Sequence, residues 1–500
     1  MDEGKTPPQR IAFRTDAAQA IGAGHLRRCL TLAEALRADG HDVLFVCRAF
    51  EKSLNADVAA AGFPLIELPP AAGSTNTEDA RETCAALVGH GPIDVMVVDH
   101  YGLGATWETE VRRVASRVAV IDDLADRAHA CDVLIDVTPA QDAAVRYAGL
   151  VSDGAVKLLG PRYALLRPEF RALRGKTGAR SGEIARVFVS FGGSDEQDRC
   201  GTAVGAIRAA LGPNTAIDVV LGRLAPHAGR LQGLAETDPQ LSVHIDTPHV
   251  ARLMAVADLA IGAAGTMSWE RACLGLPALV AQIAENQSGP IQALVQAGCA
   301  IAVPGSAEMW SALESRLSFV SENPGLLRLM GDAATSLVDG LGARRVARII
   351  APLALSLRPA TSKDSEDIWQ WRNDPTVRAA SKEPAVISRD AHDTWFARVL
   401  ADADRHLLIA EDADGAVGVL RFDIQDDAAL VSIYLTPAGR GRGLAEAILK
   451  AGEGWLRSNR PELGRIEAEI LPGNAASVAA FEAADYGRRL LRYERDLSDA

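Results

Sequence analysis

The sequence is 500 residues long, a length that favours roughly two to four domains. Hydrophobic residues make up 48 % of the chain and charged residues 23 %, which is ordinary for a globular protein. The formal net charge of -13 argues against broad binding to nucleic acid or anionic membranes, so we expect small-molecule partners and no nucleic acid.

The cysteines and the apolar runs bear on the compartment. Seven cysteines form no CxxC pair, and several lie inside apolar patterns, which favours buried free thiols in a reducing environment. The first residues lack an apolar signal core, and charged residues interrupt each long apolar region. We therefore expect a cytoplasmic protein with no membrane span.

A glycine-rich turn near the start of the chain is the first candidate site. It lies between an apolar run at 11–13, typical of a strand, and apolar residues at helical spacing over 30–36. Gly22 and Gly24 allow close approach of the backbone to a ligand, and the free N–H groups of a helix start favour an anion. His25 follows, and its ordinary pKa suits proton transfer. A purely structural turn between strand and helix is the alternative.

Strand-like runs and helical patterns then alternate up to about residue 172, which predicts a parallel sheet covered on both faces. Ligands of such sheets bind beyond the carboxyl ends of the strands. Further runs occur at 43–47, 95–98, 118–121, 133–135 and 157–159. The polar residues that follow strands are Arg14, Asp16, Asp99, His100, Tyr101, Asp122 and Asp123. Each of them is equally compatible with a helix cap or a solvated loop.

A linker is predicted over 171–183, and a second alternating unit follows it. Its runs lie at 187–191, 217–221, 243–245, 259–261, 278–280 and 300–303, and a glycine turn before a helix from about residue 197 includes Gly193 and Ser194. A second turn carries Gly265 and Thr266, whose backbone N–H groups could hold a diphosphate. Glu270 lies one turn later, where it could accept hydrogen bonds from a ribose. The alternative is that Thr266 and Ser268 simply cap a helix.

Seven pieces in this order resemble one enzyme family. They are Arg14-Thr15-Asp16, residues 21–29, 121–127, 160–167, 190–195, 265–270, and Glu285-Asn286-Gln287. Over residues 10–350 the chain resembles the UDP-sugar hydrolases of pseudaminic acid biosynthesis. That family has two Rossmann-like domains in a glycosyltransferase-B arrangement, like the UDP-GlcNAc transferase of peptidoglycan synthesis. One departure is Asp136-Val137-Thr138, where the family pattern has an amide side chain, and this puts the sugar contacts of that loop in doubt.

The resemblance implies roles for the residues that match. His25 would be the catalytic base that activates water against the anomeric carbon, and Asn286 would hold the substrate near the reacting centre. Gly193, Ser194 and Gly265 would line the diphosphate, and Glu270 would bind the ribose of uridine. The other implied substrate-binding residues are Arg14, Asp16, Gly24, Tyr163, Thr266 and Gln287. No metal is expected; the pair Asp122-Asp123 resembles a metal-binding pair, and a hydrogen-bonded loop is the alternative.

The alternation ends near residue 354, where a third domain is predicted. Strands are predicted at 355–358, 406–410, 417–422 and 430–435, with helices at 366–371 and 392–400 and a turn-rich stretch at 371–375. A glycine-rich turn with Arg440 and Arg442 then enters a helix. Such a turn is suited to an anion, and the two arginines add the positive charge that a pyrophosphate requires.

Arg440-x-x-Gly443-x-Ala445 resembles the acetyl-CoA loop of the GNAT acetyltransferases, and residues 474–481 resemble their later helix. The residues implied to bind acetyl-CoA are Leu435, Arg440, Gly441, Arg442, Gly443, Ala445, Asn474 and Ser477. Many GNAT enzymes place a tyrosine, the general acid, directly after the residue equivalent to Phe481. Glu482 occupies that position here, so the acid and the base of this domain are unassigned.

The sequence thus predicts an α/β fold with two Rossmann-like domains, 1–172 and 183–350, followed by an α+β acetyltransferase domain, 355–500. The resemblances imply a bifunctional enzyme. It would acetylate the 4-amino group of a UDP-linked sugar and hydrolyse UDP-2,4-diacetamido-2,4,6-trideoxy-β-L-altrose. The alternatives are a glycosyltransferase of the same fold and a GNAT domain that acts on another amine or only binds CoA or a protein partner.

Overall fold

The computed structural model describes the chain apart from residues 1–7, 17–23, 52, 71–73, 140–142, 177–181, 224, 284–286, 306–307, 353–354, 413–414, 441, 443, 472 and 488–500. The chain divides into two compact units, one that spans Pro8–Pro352 and one that includes Leu353–Ala500. The boundary between the units lies close to the predicted start of the third domain at residue 355. The division of the first unit over 172–183 stays a prediction.

The first sheet has seven parallel strands in the order β3-β2-β1-β4-β5-β6-β7. They are β1 (Arg10–Thr15), β2 (Asp42–Arg48), β3 (Leu65–Leu68), β4 (Ile93–Asp99), β5 (Ala115–Ile121), β6 (Val133–Asp136) and β7 (Val156–Leu159). Its helices are α1 (Gly24–Ala38), α2 (Asn55–Ala60), α3 (Asn76–Leu87), α4 (Ala105–Val111), α5 (Ala143–Arg146) and α6 (Pro168–Leu173). The order of the strands reverses between β1 and β4, which leaves a crevice at their carboxyl ends.

The second sheet repeats this plan with six parallel strands in the order β10-β9-β8-β11-β12-β13. They are β8 (Arg186–Ser190), β9 (Ala216–Leu221), β10 (Leu241–Ile245), β11 (Leu259–Ala263), β12 (Ala278–Ala281) and β13 (Ala300–Val303). Its helices are α7 (Arg199–Leu211), α8 (Ala228–Thr237), α9 (Val250–Val256), α10 (Met267–Cys273), α11 (Ser288–Gln296), α12 (Met309–Ser321), α13 (Pro324–Leu337) and α14 (Gly342–Ile350). Here the order reverses between β8 and β11.

Helix α14 ties the two sheets into one unit. Although it ends the second alternating region, its Val346, Ala347 and Ile350 are fully buried in the core of the first sheet. The Arg345 guanidinium donates to the Arg162 carbonyl at 2.9 Å, and His41 Nε2 lies 3.2 Å from the carbonyl oxygen of Ala351. Two Rossmann-like sheets tied by a returning helix agree with the predicted glycosyltransferase-B arrangement.

The third sheet is mixed, and its five strands are ordered along the chain from β14 to β18. The strands are β14 (Ser356–Pro359), β15 (Arg405–Asp412), β16 (Gly415–Gln425), β17 (Ala428–Leu435) and β18 (Arg465–Ala468). The helices are α15 (Ser365–Asn373), α16 (Pro375–Ala379), α17 (Arg389–Ala401), α18 (Ala445–Asn459) and α19 (Ala475–Ala483). Only the β17–β18 pair is parallel. The predicted fold class, two α/β sheets followed by an α+β domain, is confirmed.

Two local predictions were wrong. Residues 371–375 were predicted as a turn-rich stretch, but α15 continues to Asn373 and α16 begins at Pro375. Asp374 lies between the two helices, and its carboxylate caps α16 by accepting from the Thr376 N–H. The predicted linker over 171–183 begins inside α6, which ends at Leu173. No helix in the described ranges is long and apolar enough to cross a bilayer.

Candidate active site

His25 lies in the first turn of α1, at the carboxyl edge of the first sheet. Its Nδ1 is 2.5 Å from Oδ1 of Asp99, the last residue of β4, and the two residues are 74 positions apart in the chain. Although burial opposes ionisation, Arg28 and His25 hold the pKa of Asp99 well below its usual range. An ionised carboxylate only accepts hydrogen bonds, so Nδ1 is the donor and Nε2 is the basic nitrogen. Among the described residues, Nε2 has no hydrogen-bond partner.

Tyr101 and Asp123 complete the surroundings of the imidazole. The Tyr101 ring meets the imidazole edge-on at a centroid distance of 4.5 Å. Burial and the neighbouring Asp123 raise the pKa of Tyr101, so its phenol is neutral at physiological pH. The Asp123 carboxylate accepts from Arg28 at 3.0 Å. The structure thus brings together His25, Asp99, Tyr101 and Asp123, all of which the sequence placed at strand or helix ends.

Arg14 and Asp16, predicted to bind substrate, are buried in a polar network with other parts of the protein. Arg14 is fully buried and donates to Asp16 at 2.5 Å and to Asp79 at 2.7 Å. The Arg48 guanidinium donates to the same Asp79 carboxylate at 2.6 Å. Asp16 also lies 3.3 Å from Nε2 of His100. This network links the carboxyl ends of β1 and β2 through Asp79. Direct contact of Arg14 and Asp16 with substrate stays a prediction.

The acidic residues after β5 and β6 form a hydrogen-bonded loop. The Tyr147 hydroxyl, 3.0 Å from both carboxylates, lies between Asp122 and Asp136. Arg127 lies 3.0 Å from Asp122, and Arg146 donates to Asp136 at 2.7 Å. No group of three or more histidine, cysteine or acidic side chains in the described part of the chain is placed to hold a metal ion. The contacts of Asp122 agree with the hydrogen-bonded alternative.

The glycine turn after β8 approaches the neighbouring strand end closely. Gly192 has a φ of +100°, and the Gly193 carbonyl accepts from the N–H of Gly222 at 3.0 Å. The carboxylate of Asp195 accepts from the N–H groups of Arg199 and Cys200, the first residues of α7. The start of α7 is therefore already occupied by a protein carboxylate, so a diphosphate at Gly193 and Ser194 would bind the turn and not this helix end.

The turn between β11 and α10 faces the first sheet. Gly265 is exposed, and a Cβ atom placed on it would have no neighbour within 4 Å. A Cβ placed on Gly24, at the start of α1, would lie 3.8 Å from Oγ1 of Thr266. Thr266 precedes α10 but makes no side-chain capping hydrogen bond, so the capping alternative is wrong for this residue. Gly24, next to His25, thus lies close to Thr266 of the turn after β11.

Glu270 is held among positively charged side chains. Its carboxylate lies 3.7 Å from Arg167, which belongs to the segment that follows the first sheet. Burial raises the pKa of Glu270, and the positive charges of Arg167, Arg27 and Arg271 oppose that rise. Arg271 is buried behind the turn and donates to the Ala263 carbonyl and the Ser268 hydroxyl, both at 2.9 Å. It therefore holds the shape of the turn that carries Gly265.

The remaining predicted residues of this site have mixed outcomes. Asn286 lies outside the described residues. The side-chain oxygen of Gln287 accepts from the N–H of Ile283 at 3.0 Å. Tyr163 ends a short 3-10 helix, Pro161–Tyr163, and packs against the first core. Substrate binding by Gln287 and Tyr163 stays a prediction.

In the third domain both arginines of the predicted acetyl-CoA loop are paired. Arg440 lies 2.8 Å from Asp374, and Arg442 lies 2.6 Å from the mostly buried Asp412. Gly441 and Gly443 lie outside the described residues. The loop begins after Leu435, the last residue of β17, and α18 begins at Ala445. The carboxylates hold the guanidinium groups at the start of α18, and binding of a pyrophosphate there stays a prediction.

Asn474 and Ser477 have a structural contact of their own. The Asn474 side chain caps α19 by accepting from the N–H of Ser477 at 3.1 Å. Tyr486, just after α19, packs edge-on against Phe481 at 5.0 Å. Burial and the nearby Glu453 raise the pKa of Tyr486 to about 12. These contacts describe a packed aromatic pair, and the general acid of this domain stays unassigned.

Sequence reasoning missed three arginines of the two sheets: Arg28, Arg167 and Arg271. A signal existed for Arg28, because a residue three positions after His25 on a helix shares its face. Arg167 and Arg271 had no comparable signal, since their partners come from loops and turns that only the fold brings near.

Comparisons with known proteins agree with this division of the chain. Residues 354–486 match the family described as the acetyltransferase (GNAT) domain. The UDP-2,4-diacetamido-2,4,6-trideoxy-beta-L-altropyranose hydrolase of Campylobacter jejuni is 26 % identical over 246 residues, which cover 49 % of this chain and 81 % of that protein. An uncharacterised protein of Methanocaldococcus jannaschii is 22 % identical over 503 aligned positions, 95 % of this chain and 96 % of that protein. The chain therefore combines an N-terminal part similar in sequence to that hydrolase with a C-terminal part that matches the GNAT domain.

Among solved structures, the chain is similar to MurG of Acinetobacter baumannii. Its crystal structure aligns with a TM-score of 0.49 at 14 % identity, and the alignment covers 69 % of this chain and 99 % of that chain.

Proposed function

We propose that this chain is a bifunctional enzyme that acetylates a UDP-linked amino sugar and hydrolyses the glycosidic bond of the acetylated product. The observation that carries the hydrolase half is the His25–Asp99 pair, with Gly24 beside His25 and close to Thr266 of the turn after β11. The similarity to a hydrolase of Campylobacter jejuni supports the same reaction class. The specific substrates that we propose are the 4-amino UDP-sugar precursor and UDP-2,4-diacetamido-2,4,6-trideoxy-β-L-altrose.

The proposed hydrolysis uses the free nitrogen of His25. Nε2 accepts a proton from water as the water oxygen bonds to the anomeric carbon, and the bond from that carbon to the UDP oxygen breaks. The electron pair of that bond leaves with UDP. Backbone N–H groups at Gly193 and Gly265 stabilise the charge on the departing diphosphate. Glu270 accepts hydrogen bonds from the ribose.

The GNAT domain performs the proposed acetylation. The 4-amino group loses a proton and attacks the thioester carbon of acetyl-CoA; the amide bond forms and CoA leaves as the thiol. Consecutive steps on one chain raise the local concentration of the shared intermediate, and this is the advantage that we assign to the fusion.

The test is UDP release by the full chain from the diacetamido UDP-sugar, with no sugar acceptor, measured by anion-exchange chromatography. We expect release of UDP and free sugar, and roughly 1,000-fold slower release by His25→Gln. The same two proteins should transfer acetyl to the 4-amino UDP-sugar at equal rates. UDP release that depends on an added sugar acceptor would contradict hydrolysis and favour a glycosyltransferase.

A further inference from the structure

We infer that Arg28 is a positioning residue for His25, which it keeps neutral and in the tautomer whose Nε2 carries no hydrogen. The inference rests on the proposed hydrolase function and extends it to a residue that does not itself contact the reacting atoms. Arg28 follows His25 by three positions on α1, so both side chains lie on one face of the helix.

The contacts of Arg28 lock the carboxylate that orients His25. Its Nε and one terminal nitrogen donate to the two oxygens of Asp99, each at 2.6 Å, and its other terminal nitrogen donates to Asp123 at 3.0 Å. The Asp99 side chain is fully buried and that of Arg28 is about nine-tenths buried. A bidentate pair of this kind fixes the plane of the carboxylate. Oδ1 of Asp99 therefore stays where it accepts from Nδ1 of His25.

Arg28 also acts on the charge of the imidazole. One of its terminal nitrogens lies 3.2 Å from Nδ1 of His25. A guanidinium at this distance opposes a second positive charge on the ring, whereas the Asp99 carboxylate favours it. Because Arg28 neutralises Asp99, the ring is oriented by the carboxylate without being forced into its protonated form. A protonated imidazole cannot act as the base.

The other titratable groups beside His25, Arg28 and Asp99 do not supply this balance. Tyr101 comes from the segment after β4, and its pKa is raised, so it is neutral. Cys29, next to Arg28 on α1, is a buried thiol whose pKa is also raised. Asp123, from the segment after β5, is paired with Arg28 itself. Within the described residues, Arg28 is therefore the positive charge that opposes protonation of the ring.

The first experiment follows the imidazole directly and needs no activity. Nitrogen-15 NMR of labelled histidines, with the His25 signals assigned from His25→Gln, reports the tautomer and its titration. We expect the wild type to hold the Nδ1–H form at neutral pH. In Arg28→Gln a larger share of the His25 ring should be protonated at neutral pH, and Arg28→Lys should restore part of the difference. Arg37→Gln, which changes an exposed arginine of the same helix that donates to the Ala61 carbonyl, is the control.

The second experiment separates positioning from binding. Arg28→Gln should lower kcat for UDP release roughly 10- to 100-fold, with KM changed less than about threefold. The loss should be larger at pH 6.5 than at pH 8.5, since without Arg28 the ring is more easily protonated and a protonated ring cannot act as the base. If the wild-type chain releases no UDP, the proposed function is wrong but the inference about Arg28 is still tested by the NMR measurement on His25. An unchanged titration of His25 in folded Arg28→Gln overturns the inference.

Discussion

The imidazole of His25 can serve as a base only while Nδ1, and not Nε2, carries the hydrogen. Asp99 imposes this form because an ionised carboxylate accepts at Nδ1. In Asp99→Asn the amide can donate to Nδ1, which moves the hydrogen to Nε2. We expect UDP release to fall roughly 1,000-fold or more, the size of effect that a wrong tautomer has in other His–Asp pairs. Stopped assays on the diacetamido UDP-sugar measure it.

The control for this variant is the state of the fold, because Asp99 also holds Arg28. Circular dichroism and the melting temperature of Asp99→Asn show whether the first sheet is intact. If the folded variant retains more than a tenth of the wild-type rate, Asp99 does not set the tautomer.

The buried network beneath the site makes stability depend on pH. Burial raises the pKa of Asp79, but the hydrogen bonds and positive charges of Arg14 and Arg48 outweigh this effect and lower the pKa to about 2. A depressed pKa means that Asp79 contributes stability above its unfolded-state pKa near 4, and that this contribution is lost as the pH falls through about 2. The contribution at neutral pH is about 2 kcal/mol.

Replacement of Asp79 by Asn should therefore lower the free energy of unfolding at pH 7 and flatten its decline between pH 4 and pH 2. Chemical denaturation at a series of pH values, followed by the fluorescence of tryptophan, measures both effects. Trp107 is a suitable reporter since its indole N–H donates to Asp79 at 2.8 Å. A variant with the same acid limb as the wild type would show that Asp79 does not carry this dependence.

At the scale of elements, most strands were predictable, and two strands at sheet edges were not. β1 and β4 are apolar and almost wholly buried, so periodicity identifies them. β3 (Leu65–Leu68) and β18 (Arg465–Ala468) are four-residue strands at sheet edges with partly exposed side chains, and neither was predicted. In both of these runs a glutamate interrupts a short apolar pattern, and only pairing with a neighbouring strand defines them.

Gly262 in β11 and Gly265 in the turn that follows it allow a matched test of fold against binding. A Cβ atom on Gly262, in β11, would lie 2.2 Å from the Ser190 carbonyl oxygen and 2.9 Å from a terminal nitrogen of Arg271. A Cβ atom on Gly265 meets nothing within 4 Å. We therefore expect Gly262→Ala to lower the melting temperature by several degrees, because backbone in two strands must shift.

Gly265→Ala should keep the wild-type melting temperature and still weaken binding of UDP, since its methyl group occupies the space that we assign to the diphosphate. Calorimetric titration with UDP should give a Kd increased at least about tenfold. Unchanged UDP affinity in this variant would remove Gly265 from the proposed site.

At the scale of the whole molecule, the contacts that matter most join distant positions of the chain. Arg28 and Asp123 are 95 positions apart, and Arg167 and Glu270 come from the segments after different sheets. The sequence could place each of these residues at the end of a strand or the start of a helix, because glycine turns and apolar runs are local signals. It could not pair them, since pairing depends on the order of strands in each sheet and on the return of α14.

The division into two units predicts that the two activities can be lost separately within the full chain. Arg440→Gln with Arg442→Gln removes the two positive charges from the proposed acetyl-CoA loop, and each charge-assisted hydrogen bond contributes about 1.5–3 kcal/mol. We expect KM for acetyl-CoA to rise at least about tenfold while UDP release is unchanged. The assay follows release of the CoA thiol with the 4-amino UDP-sugar as acceptor.

Arg457→Gln is the matched control, because Arg457 is an exposed arginine on α18 that pairs with Glu453 of the same helix. The double variant leaves the Asp374 and Asp412 carboxylates without their arginines, so its melting temperature must be measured beside its kinetics. If a folded double variant retains the wild-type KM for acetyl-CoA, the arginines act only as ion-pair partners within the domain. If it also loses UDP release while Arg457→Gln does not, the two activities are coupled, and the separation of sites that the fold favours is wrong.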